Sequence, residues 1–187
     1  AAGAGLGALA VPAVAASPRR ALGANESIVM GIIGAGGRGR RVMQRHQNLG
    51  VHFDAVCDIY SRNLEKGLRQ AGDRAKSYAD YRKLLGIRDI DAVLIATPDH
   101  THAVISMAAM KAGKHVYCQK PLTHDVYEAR MLAKVAKEKG VTTQMGIQGH
   151  SMDHTRVICE WIWSGAIGEV TSVDAWCDLS YYPWGHA

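Results

Sequence analysis

Residues 28–44, "IVMGIIGAGGRGRRVMQ", are the most informative part of this chain for its fold class. Its first six residues form an apolar run typical of a buried strand, and the residues from Arg38 onward have the pattern of an amphipathic helix. Between them, Gly34, Gly36 and Gly39 form the pattern G-x-G-x-x-G. The first glycine permits a tight turn, the second lets backbone amides approach a pyrophosphate, and the third allows close helix–strand packing. The stretch therefore predicts a strand, a phosphate-binding turn and a helix.

The choice of dinucleotide depends on the residues around this turn. Gly37 and Arg38 lie inside it and are predicted to contact the cofactor. Asp58 ends the next apolar run, where a carboxylate can accept hydrogen bonds from both adenosine ribose hydroxyls and repels a 2′-phosphate. An acid at this position favours NAD over NADP. Arg62 lies close in sequence and could accommodate a 2′-phosphate, so NADP remains an alternative. A simpler role for Asp58 is to cap the following helix.

Short apolar runs alternate with amphipathic stretches from residue 28 onward, which predicts repeated βα units and a parallel sheet. The predicted strands are 28–33, 51–58, 91–97, 114–118 and 141–146. The predicted helices are 38–49, one starting near Ser61, 80–85, 101–112 and 124–139, the last closed by Gly140. The predicted fold class is α/β: a Rossmann-type doubly wound parallel sheet, followed by the start of a second α/β domain.

The character of the sequence changes after Gly146. A helix ended by Gly165 is followed by a predicted strand from about Glu169, and that strand needs a sheet to join. Three segments are therefore predicted: a leader or linker over 1–27, a nucleotide-binding domain over 28–146, and the beginning of a truncated substrate domain over 147–187.

The leader segment is rich in Ala, Gly, Leu and Val and then continues with Pro and Ser. It resembles the apolar and cleavage regions of an export signal, with Ala13-Val14-Ala15 as a candidate cleavage motif. It is too short and too interrupted for a membrane span. We therefore expect a periplasmic or exported protein; the alternative is an Ala-rich leader without a targeting role, on a cytoplasmic protein.

Composition excludes several functional classes. The 187 residues are 48% hydrophobic and 21% charged, as in an ordinary globular protein. The formal net charge is +5, but the chain has no dense Lys/Arg block or basic stripe with interleaved aromatics, so no nucleic-acid partner is predicted. The four cysteines lack CxxC spacing and are expected to be buried free thiols. They are Cys57, Cys118, Cys159 and Cys177.

One histidine pair raises the question of a metal. His150 and His154 have i, i+4 spacing, which could place two imidazoles on one helical face. No third ligand is evident, and the segment "HSMDH" differs from the zinc-binding pattern HExxH. No metal site is therefore predicted.

Three further motifs follow the turn and Asp58 in a fixed order: "ATPDHTH" (96–102), "AGKHV" (112–116) and "QKP" (119–121). With them the chain resembles the glucose-fructose oxidoreductase / inositol dehydrogenase (Gfo/Idh/MocA) family over about residues 28–173. The resemblance implies a Rossmann domain joined to a second α/β domain with a large open sheet. It also implies a sugar or polyol bound between the two domains, NAD or NADP as cofactor, and homo-oligomers at full length.

The resemblance also assigns roles to individual residues. It implies cofactor contacts from Thr97, Pro98, His102, Gln119 and Lys120. Lys120 is in addition the predicted catalytic residue, because a cation beside the substrate hydroxyl stabilises a developing alkoxide or relays its proton. The family's Glu-Lys-Pro is here Gln-Lys-Pro, so Gln119 removes a negative charge beside Lys120.

Three functions remain open on the sequence. The first is an NAD(P)-dependent oxidoreductase that acts on a hydroxyl of a small-molecule sugar, polyol or cyclitol. The second is an NAD-dependent glycosidase of the same superfamily, in which transient oxidation of the sugar permits elimination. The third is a non-catalytic nucleotide- or sugar-binding protein, because the family's downstream Asp and His have no counterpart before Ala187.

Overall fold

A computed structural model describes residues 27–176 of the chain. The predicted cleavage motif and Cys177 lie outside the described residues, so the predictions made for them stay predictions. The chain divides after Gly146 into two compact units. Within the described range, no helix is both long and apolar enough to cross a membrane.

The first unit is built on one six-stranded sheet in which all neighbouring strands are parallel. The strands are β1 (Val29–Ile33), β2 (His52–Cys57), β3 (Lys76–Tyr78), β4 (Ala92–Ile95), β5 (His115–Gln119) and β6 (Thr143–Gly146). The helices are α1 (Gly37–Gln47), α2 (Ser61–Ala71), α3 (Tyr81–Leu85), α4 (His102–Lys111) and α5 (Val126–Lys139). The strand order is β3-β2-β1-β4-β5-β6, which is the order of dinucleotide-binding folds. The predicted fold class is confirmed.

Both faces of this sheet are covered, which is why its strands are apolar without alternation. On one face, Ile32 and Leu94 pack with Met43 of α1. On the other, Ile95 and Val93 belong to a cluster that includes residues of α3, α4 and α5. Each such side chain contributes roughly 1.5–3 kcal/mol when it is buried. The central strands, and with them the ends that carry the site, are therefore held firmly in place.

One strand of the sheet differs from the sequence-based expectation. β3 was not predicted, because its three residues lie at the sheet edge and carry no apolar run. The helix predicted to start near Ser61 does start there, although Tyr60 at the cap position makes no side-chain capping bond. The helix predicted over 80–85 is α3, and Asp80 caps it, since its Oδ1 accepts from the Arg82 amide at 2.9 Å. Gly140 closes α5 with φ +61°, as predicted.

The second unit, considered by itself, contains α6 (Asp153–Trp163) after a short 3₁₀ turn at Gln148–Ser151. Gly165 follows α6 with φ +72°, as expected for a glycine that ends a helix. The strand predicted from about Glu169 is wrong within the described range, since residues 164–176 form no strand. A strand requires a partner for its backbone groups, and the described part of this unit contains none.

Candidate dinucleotide-binding site

The phosphate-binding turn joins β1 to α1, and its first and third glycines are sterically required. Gly34 has φ +90°, and its amide donates to the carbonyl of Cys57 at 2.8 Å. A Cβ on Gly34 would lie 2.6 Å from the backbone of Ala96 and Thr97. A Cβ on Gly39 would overlap the carbonyl oxygen of Gly34. Side chains at these two positions would push β1, β4 and α1 apart.

The middle of the turn is open instead. A Cβ on Gly36 would have Asn63 Nδ2 as its nearest neighbour, at 3.8 Å, and a Cβ on Gly37 would meet nothing within 4 Å. No side chain caps the N-terminus of α1. The uncapped amides of a helix N-terminus attract anions. The space at Gly36 and Gly37 thus fits a pyrophosphate that approaches the backbone closely.

A pocket of about 740 Å³ lies beside this turn, at the carboxyl ends of β1, β2 and β4. Its volume falls within the range of small-molecule and cofactor sites, about 300–1,000 Å³. β1 and β4 are the neighbours at which the strand order reverses, and doubly wound sheets bind ligands at this point. Seven residues predicted to contact the cofactor line this pocket: Gly34, Gly36, Gly37, Arg38, Asp58, Thr97 and Pro98.

Asp58 fixes the end of β2 against the turn. Its Oδ2 accepts from the Ala35 amide at 2.8 Å, and its Oδ1 accepts from the Tyr60 amide at 2.9 Å. A carboxylate oxygen can accept more than one hydrogen bond, so both oxygens retain capacity for ribose hydroxyls. The half-buried side chain therefore orders the turn and places a negative charge in the pocket.

Several residues that were not predicted from the sequence line the same pocket. Asn63 from the first turns of α2, Ile59 and Tyr81 all do so. Of these three, only Asn63 could have been indicated by the sequence, because it lies five positions after Asp58. Cys57 also lines the pocket, but burial, together with the nearby Asp58 and Asp80 carboxylates, raises the pKa of its thiol to about 11. This thiol is therefore protonated at neutral pH and is not a nucleophile.

Gln119 connects the end of β5 to α1 across the sheet. Arg38 Nε donates to Gln119 Oε1 at 2.7 Å, although the two residues lie 81 positions apart. The Gln119 side chain is buried, and its Nε2 has no hydrogen-bond partner among the described residues. A buried unpartnered donor is unfavourable unless a ligand or water accepts from it. Gln119 therefore fits the edge of a site that a polar ligand completes.

Lys120 follows directly in an exposed position, and its peptide bond to Pro121 is cis. Ile95 of β4 pairs in register with Cys118 of β5. Thr97 and Lys120 each lie two residues beyond that pair, so both follow the carboxyl ends of neighbouring strands. Lys120 is not among the residues that line the pocket, but its backbone lies at the same edge of the sheet.

His102 has a different role from the predicted cofactor contact. Its ring is 1% exposed. Its Nδ1 lies 2.6 Å from the carbonyl oxygen of Pro121, and its Nε2 lies 2.9 Å from that of Thr97. Because both ring nitrogens are directed at backbone carbonyls, the side chain is not available to a cofactor. It links the turns after β4 and β5 instead.

The histidine pair of the second unit does not share a helical face. His150 lies in the 3₁₀ turn, and His154 lies in the first turn of α6. Across residues 27–176, no group of three or more His, Cys, Asp or Glu side chains could hold a metal ion.

The strand order, the glycine turn and the acid at the end of β2 together define a nucleotide-binding Rossmann domain. The Gfo/Idh/MocA family, described as an oxidoreductase family with an NAD-binding Rossmann fold, matches residues 28–147. The chain belongs to this family, as the resemblance in sequence implied, and the predicted class of cofactor, NAD, is confirmed.

Individual relatives agree with this assignment. Inositol 2-dehydrogenase of Salmonella typhimurium is 32% identical over 112 residues, which are 59% of this chain and 33% of the relative. Inositol 2-dehydrogenase/D-chiro-inositol 3-dehydrogenase of Lactiplantibacillus plantarum is 31% identical over 148 residues, 78% of this chain and 42% of the relative. The crystal structure of myo-inositol 2-dehydrogenase from Lactobacillus plantarum superposes with a TM-score of 0.71 at 30% identity, covering 78% of this chain and 43% of that one. The chain thus spans less than half the length of these relatives.

Proposed function

We propose that the chain is the nucleotide-binding part of an NAD-dependent oxidoreductase that acts on a hydroxyl of a sugar, polyol or cyclitol. The observation that carries this proposal is the pocket at the carboxyl edge of the sheet, where the glycine turn, Asp58 and Thr97 meet. The relatives named as inositol dehydrogenases support a cyclitol as the first substrate to test.

Each part of the edge has a distinct task in this proposal. The open backbone at Gly36 and Gly37 binds the pyrophosphate, and Asp58 binds the adenosine ribose. NAD, when bound, supplies the acceptor for the hydride. Lys120 stabilises the charge that develops on the substrate oxygen or takes its proton, which is the contribution expected of a positioned cation.

The experiment compares Asp58→Ala and Lys120→Met with matched exposed controls, Asp73→Ala and Lys137→Met. Binding of NAD and NADP is measured by titration calorimetry, and oxidation of inositol isomers is followed by NADH absorbance. Asp58→Ala is expected to weaken NAD binding about tenfold or more and to reduce the preference over NADP, since two charge-assisted hydrogen bonds are lost. Lys120→Met is expected to weaken NAD binding less than Asp58→Ala does and to lower kcat roughly 10²-fold or more.

Two results would contradict the proposal. If Asp58→Ala bound NAD as tightly as the unsubstituted chain and gained nothing for NADP, Asp58 would be only a structural residue. If an intact longer protein that contains this chain bound NAD and a sugar but turned over no cyclitol, sugar or polyol, the non-catalytic alternative would gain instead. Release of a leaving group without net NADH would favour the glycosidase.

A further inference from the structure

The His102 side chain is held rigidly at the start of α4. The ring is almost fully buried, and its helical neighbours Ala103, Ile105 and Ser106 are buried too. The ring therefore cannot turn away without opening the contact between α4 and the sheet. Its two nitrogens lie at hydrogen-bond distance from carbonyl oxygens that belong to two separate turns.

These two turns carry different parts of the site. Thr97 lies after β4 and lines the pocket, and its hydroxyl accepts from Thr101 Oγ1 at 2.8 Å. Pro121 lies after β5, directly beyond Lys120. Within residues 27–176, His102 is the hydrogen-bond partner of the Pro121 carbonyl. One side chain thus spans the distance between the turn that lines the pocket and the turn that carries the lysine.

We propose that His102 is a positioning residue, which holds the backbone at Lys120 and Pro121 in register with the pocket turn at Thr97. This inference rests on the proposed function, because a fixed lysine matters only where a ligand meets it. Small displacements of a reacting group lower rates strongly, so a link of this kind affects chemistry without touching the ligand. His102 acts through Lys120 and does not itself contact cofactor or substrate.

Three substitutions test separately the contact of His102 with the Pro121 carbonyl and its contact with the Thr97 carbonyl. The amide nitrogen of an asparagine side chain lies where Nδ1 of histidine lies, and that of a glutamine lies where Nε2 lies. His102→Asn therefore places an amide N–H beside the Pro121 carbonyl, and His102→Gln places one beside the Thr97 carbonyl. His102→Leu removes both ring nitrogens and retains an apolar side chain of similar reach. Val104→Ala, at an exposed position of the same helix, is the matched control.

The first readout needs no ligand. The ¹³C chemical shift of a backbone carbonyl responds to the loss of a hydrogen bond, so triple-resonance NMR of the full chain reports each half separately. We expect the Pro121 carbonyl signal to move in His102→Gln and His102→Leu but not in His102→Asn. We expect the Thr97 carbonyl signal to move in His102→Asn but not in His102→Gln. A purely structural role would instead shift signals throughout α4 in all three variants, which would overturn the proposal.

The second readout follows Lys120 itself. Lysines are reductively methylated with ¹³C-formaldehyde, and the Lys120 methyl signal is assigned with Lys120→Arg and titrated with NAD. We expect the NAD-induced change of this signal to persist in His102→Asn and to fall at least about twofold in His102→Gln, with the dissociation constant for NAD within about threefold of the unsubstituted value. Equal changes in both variants would overturn the proposal.

The two readouts fail independently of the proposed function. If the unsubstituted chain bound no NAD, the proposed function would fail, and the carbonyl shifts would still decide whether His102 links the turns. If NAD bound but neither carbonyl responded to any substitution, the positioning role would be refuted and the nucleotide-binding function retained.

Discussion

Lys114 is a buried lysine with a structural task at the start of β5. Its Nζ donates to the carbonyl oxygens of Ile87 at 2.6 Å, Ile90 at 2.8 Å and Arg88 at 3.4 Å. Burial lowers the pKa of this ammonium from its ordinary value, while the Asp91 and Asp89 carboxylates act in the opposite direction. The ammonium thus ties the loop before β4 to the adjacent strand.

Replacing Lys114 by methionine would leave these carbonyl oxygens without their donor. We expect Lys114→Met to lower the free energy of unfolding by about 2–3 kcal/mol, since unsatisfied buried acceptors are costly. Urea denaturation followed by circular dichroism measures the change. Lys111→Met, at the exposed end of α4, should change the free energy by less than about 0.5 kcal/mol. A similar small change in Lys114→Met would show that water satisfies the carbonyls.

The buried thiols give a prediction for pH. Burial raises the pKa of Cys57 and of Cys118 to about 11, whereas Cys159 is partly exposed. Because only the thiolate reacts, we expect iodoacetamide at pH 7.5 to modify Cys159 much faster than the two buried thiols. The rates of Cys57 and Cys118 should rise as the pH approaches 11. Peptide mass spectrometry measures all three, and equal rates at pH 7.5 would contradict the prediction.

The glycine turn could be predicted from sequence because its constraints are local. Gly34 is required by its φ of +90° and Gly39 by the carbonyl oxygen of Gly34, both within one strand–turn–helix unit, and the spacing of the glycines carries that information. The backbone of Ala96 and Thr97, which also excludes a Cβ from Gly34, belongs to another strand and could not be predicted from the spacing. The role of His102 could not be predicted, since its partner Pro121 lies 19 positions away and approaches only when α4 packs on the sheet. The bond between Arg38 and Gln119 spans 81 positions and was missed for the same reason.

At the scale of elements, α5 has the most complete start signal. Asp125 Oδ1 accepts from the Glu128 amide at 2.8 Å, and Glu128 Oε2 accepts from the His124 amide at 2.8 Å. This arrangement resembles a capping box: it satisfies one amide of the first helical turn, that of Glu128, and one amide just before the cap, that of His124. It also orients the helix that follows the turn at Lys120.

Loss of this cap should therefore affect the stability of the whole unit. We expect Asp125→Ala to lower the free energy of unfolding by about 1 kcal/mol, the usual effect of removing a capping carboxylate. Thermal and urea denaturation measure the change. Glu138→Ala removes only the exposed pair with Lys134, so it should change stability by less than about 0.5 kcal/mol. If the two variants were equally stable, the cap would be contributing nothing.

Prediction of elements succeeded where burial and local signals agreed. β1, β2, β4 and β5 are apolar and central, and their positions were predicted to within two residues. β3 was not predicted, because it forms a strand through its pairing with β2 and its own side chains carry no strand pattern. The strand expected from Glu169 failed for the opposite reason, since its apolar residues have no described partner strand.

For the molecule as a whole, the division after Gly146 places the nucleotide pocket and the buried core in the same unit. Every residue that lines the pocket belongs to the first unit, and so do both clusters of the buried core. The second unit exposes large apolar side chains on α6, among them Trp161 and Trp163. Nucleotide binding and the stability of its scaffold should therefore depend on the first unit alone.

This division leads to a prediction about a shorter chain. Residues 28–146, produced alone, are expected to unfold cooperatively in urea and to bind NAD with a dissociation constant within about threefold of that of residues 1–187, because a domain with its own core folds independently. Calorimetry and circular dichroism make the comparison, with Asp58→Ala in the shorter chain as the control for specific binding. A shorter chain that folds but has lost NAD binding would show that residues beyond Gly146 contribute to the site. A shorter chain that fails to fold would show that α6 and its neighbours stabilise the sheet.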